Sequence, residues 1–181
     1  MKRAIFLDRD GTLIHDADYL HKAEDVRFFP GVIIALKKAQ NTGFLLIMVT
    51  NQSGVGRGYF SMNDVEKVHG HIASECGVEG VKFTAIYVAP EAPDQPSLGR
   101  KPSPYFLFQA RDQFGIDLSE SFMIGDKLID IECGINAGVK ASYLVRTGYG
   151  AVQEKKMTQQ GRVQVEDDLP AAIEHILGTL S

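Results

Sequence analysis

Five short apolar runs punctuate this chain: Ala4 to Leu7, Phe44 to Thr50, Thr84 to Ala89, Phe122 to Ile124 and Ser142 to Val145. They are nearly continuous, where a half-exposed strand would alternate apolar and polar positions. Such runs suit strands covered on both faces, as in parallel sheets. Segments with helical spacing lie between them. Gly31 to Gln40 places Val32, Ala35, Leu36 and Ala39 on one side, and Gly43 is a nearby terminator. Ser61-Met62-Asn63-Asp64 reads as a capping box, with Phe60 and Val65 placed for the accompanying hydrophobic staple. Ser103-Pro104 offers a cap followed by proline at the first helical position, and Gly115 closes that helix. Further helices are predicted over Asp130 to Asn136 and Pro170 to Leu177. This alternation implies an α/β fold, an open and mostly parallel sheet with helices on both faces.

Length and charge narrow the picture. With 181 residues, 44% of them hydrophobic, the chain is expected to form one domain spanning 1–181 with a full core. It carries 19 basic and 23 acidic residues, a formal net charge of −4, so an extended nucleic-acid interface is not expected. Two cysteines, Cys76 and Cys133, make no disulfide framework and point to a reducing compartment. No apolar stretch reaches membrane-spanning length. Met1-Lys2-Arg3 leads into a run too short for a secretory signal core, so a cytoplasmic setting is expected. The interval Ala89 to Pro104 holds five prolines, which stiffen a loop and remove donors; it is expected to pack as a fixed flap.

Candidate chemistry gathers at the carboxyl ends of the predicted strands, where ligands bind in open α/β sheets. Asp8 and Asp10 end the first run, in Asp8-Arg9-Asp10-Gly11-Thr12. Thr50-Asn51-Gln52-Ser53-Gly54 ends the second, Gly125-Asp126-Lys127 ends the fourth, and Arg100-Lys101-Pro102 precedes a helix. Each segment alone reads as a cap, a polar turn or solvated charge. The four in this order do not.

This constellation resembles the four motifs of the haloacid dehalogenase (HAD) superfamily, over Ala4 to about Gly148. The resemblance implies a HAD-like, Rossmann-like α/β/α sandwich and phosphatase chemistry. It makes Asp8 the nucleophile and Asp10 the general acid/base. Thr50 becomes the hydroxyl on a phosphoryl oxygen and Lys101 the stabilising cation. It further implies Mg²⁺ held by Asp8, the backbone carbonyl of Asp10, Asp126 and waters, a set of hard oxygens suited to that ion. Positive charge must gather where a carboxylate attacks a phosphate dianion, and backbone N–H groups near Arg9 and Asn51 are placed to add to it.

The intervals Leu13 to Pro30 and Asn51 to Thr84 are too short for an inserted cap domain, so an open site is expected. The chain is similar to the capless branch that includes heptose bisphosphate and histidinol phosphate phosphatases. Asn51 to Gly58, Gly125 to Leu128 and Leu144 to Gly148 lie closer to the heptose members. That resemblance implies a small phosphorylated sugar, a sugar bisphosphate, as substrate and a monomeric protein. Asn51, Gln52 and Ser53 would line the site, and Arg100 and Lys127 would contact phosphate or sugar, Arg100 by bidentate pairing. Three other readings stay open: histidinol phosphate as substrate, a nucleic-acid 3′-phosphate end, or a non-catalytic module that binds a phosphorylated ligand.

One segment departs from that branch, which commonly carries a zinc loop of Cys-x-His and Cys-x-Cys. Here the chain reads Val88-Ala89-Pro90-Glu91 and Ser97-Leu98-Gly99-Arg100, without thiolate or imidazole. A structural zinc on those ligands is not expected, Glu91 and Asp94 read as exposed charges, and proline stiffness is expected to take zinc's place. Cys76 and Cys133 read as buried hydrophobes. His69 and His71, two apart on a helix, face different ways and do not share a metal. His15 and His21 are expected in solvent, Tyr19 either meets sugar or packs in its loop, and Glu166-Asp167-Asp168 reads as a solvated helix entry.

Overall fold

The computed structural model describes residues 1–158 and 161–180. Its centre is a six-stranded parallel sheet in the order β3-β2-β1-β4-β5-β6. The strands are β1 (Arg3–Leu7), β2 (Phe44–Asn51), β3 (Ala85–Ala89), β4 (Phe122–Gly125), β5 (Ala141–Val145) and β6 (Val163–Glu166). Helices connect them: α1 (Val32–Asn41), α2 (Ser53–Gly56), α3 (Met62–Val78), α4 (Tyr105–Phe114), α5 (Leu128–Ala137), α6 (Gly150–Glu154) and α7 (Leu169–Gly178).

Four of the five continuous apolar runs have the burial they predicted, while β3, at the sheet edge, is half-buried from Ala85 to Val88. Along β1, Ile5 and Leu7 join a core with α1, α3 and α7, while Ala4 and Phe6 join a second core with α4 and α5. In β2, Leu46 and Met48 face the first core and Ile47 and Val49 the second. Period-two alternation therefore feeds two apolar layers, and no polar face is needed. Each of these side chains is fully or almost fully buried, contributing about 1.5–3 kcal/mol apiece on transfer from water.

Helix entries follow local chemistry. Ser61 Oγ accepts from Asp64 N and Asp64 Oδ2 accepts from Ser61 N, so the capping box starts α3 as expected. Gly115, at φ 67°, closes α4 in the left-handed region. The entry of α4 is shifted by one residue: Pro104 stands outside the helix as its cap position, and Ser103 Oγ accepts from Tyr105 N.

Three elements were not predicted. β6 takes Glu166 out of the expected helix entry and into a strand, where its carboxylate meets His175 Nδ1 at 2.6 Å. Asp168 alone caps α7, its Oδ1 accepting from Ala171 N. The short turn α2 begins within a stretch that alone read as a polar turn, and α6 falls where no element was assigned. The segment between β3 and α4 is a fixed flap, but side chains as well as prolines hold it. Ser97 Oγ donates to Glu91 Oε2 (2.8 Å) and accepts from Arg100 N (3.1 Å). Ser103 Oγ donates to Leu98 O, and Gln95 ties the loop to Gly56 O. Glu91 is thus a hydrogen-bonded anchor, not a free surface charge.

Candidate active site

β1 pairs with β2 on one side and β4 on the other, so the sheet order reverses at its carboxyl end. A crevice opens beyond a strand at such a point because the flanking connections leave toward opposite faces. Asp8 follows β1 directly, with its backbone N–H on Ile124 O of β4. The end of β2 supplies Thr50 and Asn51, and the end of β4 supplies Asp126.

Lys101 ties these strand ends together. Its ammonium, 3% exposed, donates to Asp8 Oδ1 (2.6 Å) and to Val49 O (2.8 Å), and lies 2.6 Å from Asp130 Oδ1. Asn51 holds the lysine backbone from both sides: its Oδ1 accepts from Lys101 N (3.0 Å), and its Nδ2 donates to Lys101 O (3.3 Å). Burial alone would lower the ammonium pKa; Asp130 and Asp8 outweigh it, and the net shift is upward. A permanent cation therefore stands against the nucleophile candidate. Asp130, one turn into α5, also caps that helix by accepting from Lys127 N (3.0 Å).

Asp126 is fully buried beside them. Its Oδ2 accepts from Tyr149 N (2.8 Å), while Oδ1 has no hydrogen-bond partner. Gly11 (φ 82°) and Gly148 (φ 55°) make room for this carboxylate, since a Cβ on either would fall within 2.3 Å of Oδ2. Burial first, then the charges of Asp8 and Asp130, push the Asp126 carboxyl up to about 8, with Lys127 pulling the other way. Burial and Asp8 raise Asp130 to about 6 against the pull of Lys101. Oxygens of Asp8, Asp126 and Asp130 lie within 4.8 Å of one another. A cluster of buried carboxylates in which Asp126 Oδ1 accepts no hydrogen bond fits a hard divalent cation, which would offset the burial and mutual repulsion that raise these pKa values.

Asp10 stands apart from that cluster. Arg9 holds it with a two-pronged pair, Nε to Oδ2 and Nη2 to Oδ1, each 3.0 Å. Gln52 Nε2 donates to Asp10 Oδ2 and to Thr50 Oγ1, both at 2.8 Å, linking two expected site residues. The carboxylate of Asp10 is thus directed away from the carboxylate cluster and toward the crevice mouth.

The crevice itself measures about 310 Å³ and is lined by Asp10, Gln52, Ser53, Lys127, Asp16 and Tyr149 among others. Lys127 Nζ lies 3.6 Å from Asp126 Oδ1 and from Asp16 Oδ2, and 4.9 Å from the Tyr149 ring centre. Tyr19 also lines it, at φ 64° after Asp18 at φ 31°, two adjacent positive values that non-glycine residues seldom adopt. Of the expected residues, Asp8, Asp10, Thr50, Asn51, Gln52, Ser53, Lys101, Asp126 and Lys127 converge here. Arg100 does not: its Nη1 donates to Glu91 O on the flap (3.0 Å). His15 and His21 are exposed, as expected. Asp130 and Arg9 carried no expected role, nor did Asp16 and Tyr149 on the crevice wall. The four-residue spacing of Asp126 and Asp130 at a helix start was a usable signal for the first.

Comparison with known proteins agrees with this geometry. The HAD-hydrolase-like family matches residues 98–172. D-glycero-beta-D-manno-heptose-1,7-bisphosphate 7-phosphatase of Pasteurella multocida is 38% identical over 179 residues, covering 96% of this chain and 97% of its own. The chain belongs to the heptose-1,7-bisphosphate 7-phosphatase family. Another member of this phosphatase family, the alpha-named enzyme of Photorhabdus laumondii, is 37% identical over 81% of this chain and 84% of its own. The solved D,D-heptose 1,7-bisphosphate phosphatase of B. bronchiseptica, complexed with magnesium and phosphate, superposes with a TM-score of 0.91 at 29% identity. That match covers 99% of both chains, so the heptose phosphatase fold accounts for this chain from end to end. No helix among the described residues is long and apolar enough to cross a membrane.

Proposed function

We propose that this protein is a magnesium-dependent phosphomonoesterase that removes the 7-phosphate of D-glycero-D-manno-heptose 1,7-bisphosphate. The observation that carries the reading is the buried Lys101 ammonium at 2.6 Å from Asp8 Oδ1, beside the unpartnered Oδ1 of Asp126. Three carboxylates there face the two ammonium groups of Lys101 and Lys127. A Mg²⁺ held by Asp8, Asp126 and the Asp10 backbone carbonyl would make the crevice attractive to a phosphate dianion.

In this reading an Asp8 oxygen attacks phosphorus in line, and the bond from phosphorus to the sugar oxygen breaks. Asp10, protonated for this step, gives its proton to the departing alkoxide. The phosphoryl group is then carried on Asp8. Asp10, now ionised, takes a proton from a water that attacks the same phosphorus, releasing phosphate and restoring Asp8. Lys101 and Thr50 hold phosphoryl oxygens throughout, so charge developing on them meets fixed partners. Lys127 and Ser53, at the crevice wall, contact phosphate or sugar.

Phosphate release from heptose bisphosphate, as both anomers, would be measured with Mg²⁺ beside histidinol phosphate and 3′-phosphorylated oligonucleotides. The expected result is a kcat/KM for one heptose anomer at least about a hundredfold above the other two substrates, roughly 2.7 kcal/mol of transition-state discrimination. Equal rates on all three would reduce the protein to a general phosphatase. No release from any would favour a module that only binds phosphorylated ligands.

A further inference from the structure

The guanidinium of Arg9 is 1% exposed, and its three nitrogens point in two directions. Nε and Nη2 clasp both oxygens of Asp10. Nη1 points away from the crevice and meets His69 Nε2 at 3.2 Å, and Nη2 also reaches Leu20 O at 3.4 Å. A guanidinium has donors only, so His69 Nε2 must be the acceptor, and the imidazole is neutral with its proton on Nδ1. Burial first, and Arg9 second, hold the histidine pKa down to about 3, which keeps that acceptor available.

His69 is itself held firmly. It lies on the inward face of α3 with Val65, Val68, Ile72 and Cys76, all buried, and the capping box fixes the start of that helix. His69 is the side chain through which α3 reaches Arg9. Without an acceptor there, a buried N–H would be orphaned, and the guanidinium plane would turn to find one, carrying Asp10 with it.

We infer that His69 is a positioning residue: by fixing the Arg9 plane it aims the Asp10 carboxyl at the leaving oxygen. This rests on the proposed role of Asp10 as proton donor. In the acid step the proton leaves an Asp10 oxygen for the sugar alkoxide as the P–O bond breaks, so a tilt of that carboxyl slows substrates with basic leaving groups. An aryl phosphate, whose phenolate departs without a proton, is spared in that step, while the later hydrolysis of the phosphoryl group on Asp8 is common to both substrates.

Two substitutions separate this from a purely structural role. The amide oxygen of glutamine falls where Nε2 stands, whereas that of asparagine falls near Nδ1 and cannot reach Arg9. His69→Gln and His69→Asn are therefore assayed on heptose bisphosphate and on p-nitrophenyl phosphate, with Asp10→Asn as reference. His69→Asn is expected to lose about 10- to 100-fold in kcat/KM, which reports only the steps up to departure of the leaving group, on the sugar phosphate, part of what general acid catalysis supplies, and under about threefold on the aryl phosphate. His69→Gln should stay near wild type on both. Equal losses on the two substrates, or no loss in either variant, would overturn the inference while Asp10→Asn still discriminates. If Asp10→Asn itself lowers kcat/KM on both substrates alike, the acid role assigned to Asp10 fails and this inference fails with it.

Discussion

Lys101 and Arg146 each face two carboxylates, and the two clusters have opposite characters. Arg146 donates to both oxygens of Glu154 and to Asp167 from a half-exposed position on the outer surface after β5. Its bonds, 2.7–2.9 Å, are as numerous as those of Lys101 and only slightly longer, but water competes for every one of them. Lys101 sits between Asp8 and Asp130 with no such competitor. The number of ion pairs is the same, and only burial turns one of them into a device that can act on a substrate. A surface pair adds little because solvent screens it, whereas a buried cation cannot be withdrawn without leaving uncompensated charge.

The largest effect should come from the nucleophile on the buried side. Asp8→Asn is isosteric and leaves Lys101 paired with Asp130, so the fold should persist. Turnover should fall by at least about a thousandfold, some 4 kcal/mol in the barrier, in a steady-state phosphate assay. Full Mg²⁺-dependent activity in that variant would remove the proposed chemistry. Next comes Lys101→Met, which keeps the stem and deletes the charge. Stability should drop by about 3 kcal/mol in urea unfolding, since Asp8 and Asp130 lose their shared partner, although either can limit the cost by taking up a proton. An unchanged unfolding midpoint would mean the buried cluster is no different from the outer one.

A third test exploits the carboxyls raised to about 8 and about 6 in Asp126 and Asp130. Without metal, the folded protein holds protons there that an unfolded chain gives up near pH 4. That stabilisation is fully present below pH about 4 and is lost as pH rises through about 6 and then about 8. A divalent cation held by Asp126 needs that carboxyl ionised, so the rise in Tm on adding MgCl2 should be larger at pH 8.5 than at pH 5.5. A Tm gain independent of pH would detach the cation from these carboxylates. The smallest effect belongs to Arg146→Ala, for which neither Tm nor kcat should change measurably.

The difference between the two clusters also explains what could be read in the chain before folding was known. Asp8, Thr50 and Asp126 announced themselves because polar groups follow directly on apolar strands, and the parallel sheet was visible in those runs. Asp130 and Arg9 did not, because a charged residue in or beside a helix or between two acids looks ordinary until burial is known. The strand β6 escaped because Val163-Gln164-Val165-Glu166 is short, alternates polar groups and lies half-buried at a sheet edge. The turn α2 escaped because Gly54 and Gly56 lower helix propensity, and it forms where Arg57 N finds Ser53 O. Arg100 was expected on phosphate, yet the flap offers its guanidinium a carbonyl within reach.

The flap has a chemical consequence of its own. Its clasp of Glu91, Ser97 and Arg100 is built from oxygen and nitrogen, and the stretch from 88 to 104 contains no sulfur. Both thiols of the chain are buried, Cys76 pushed up to about 11 and Cys133 to about 12 by desolvation, and Cys133 Sγ donates to Ser103 O at the end of the flap (3.2 Å). Neither presents a thiolate to peroxide or to an alkylating reagent. The Glu91–Ser97–Arg100 clasp itself therefore offers an oxidant no sulfur to attack, and the one thiol that touches the flap does so from within the core.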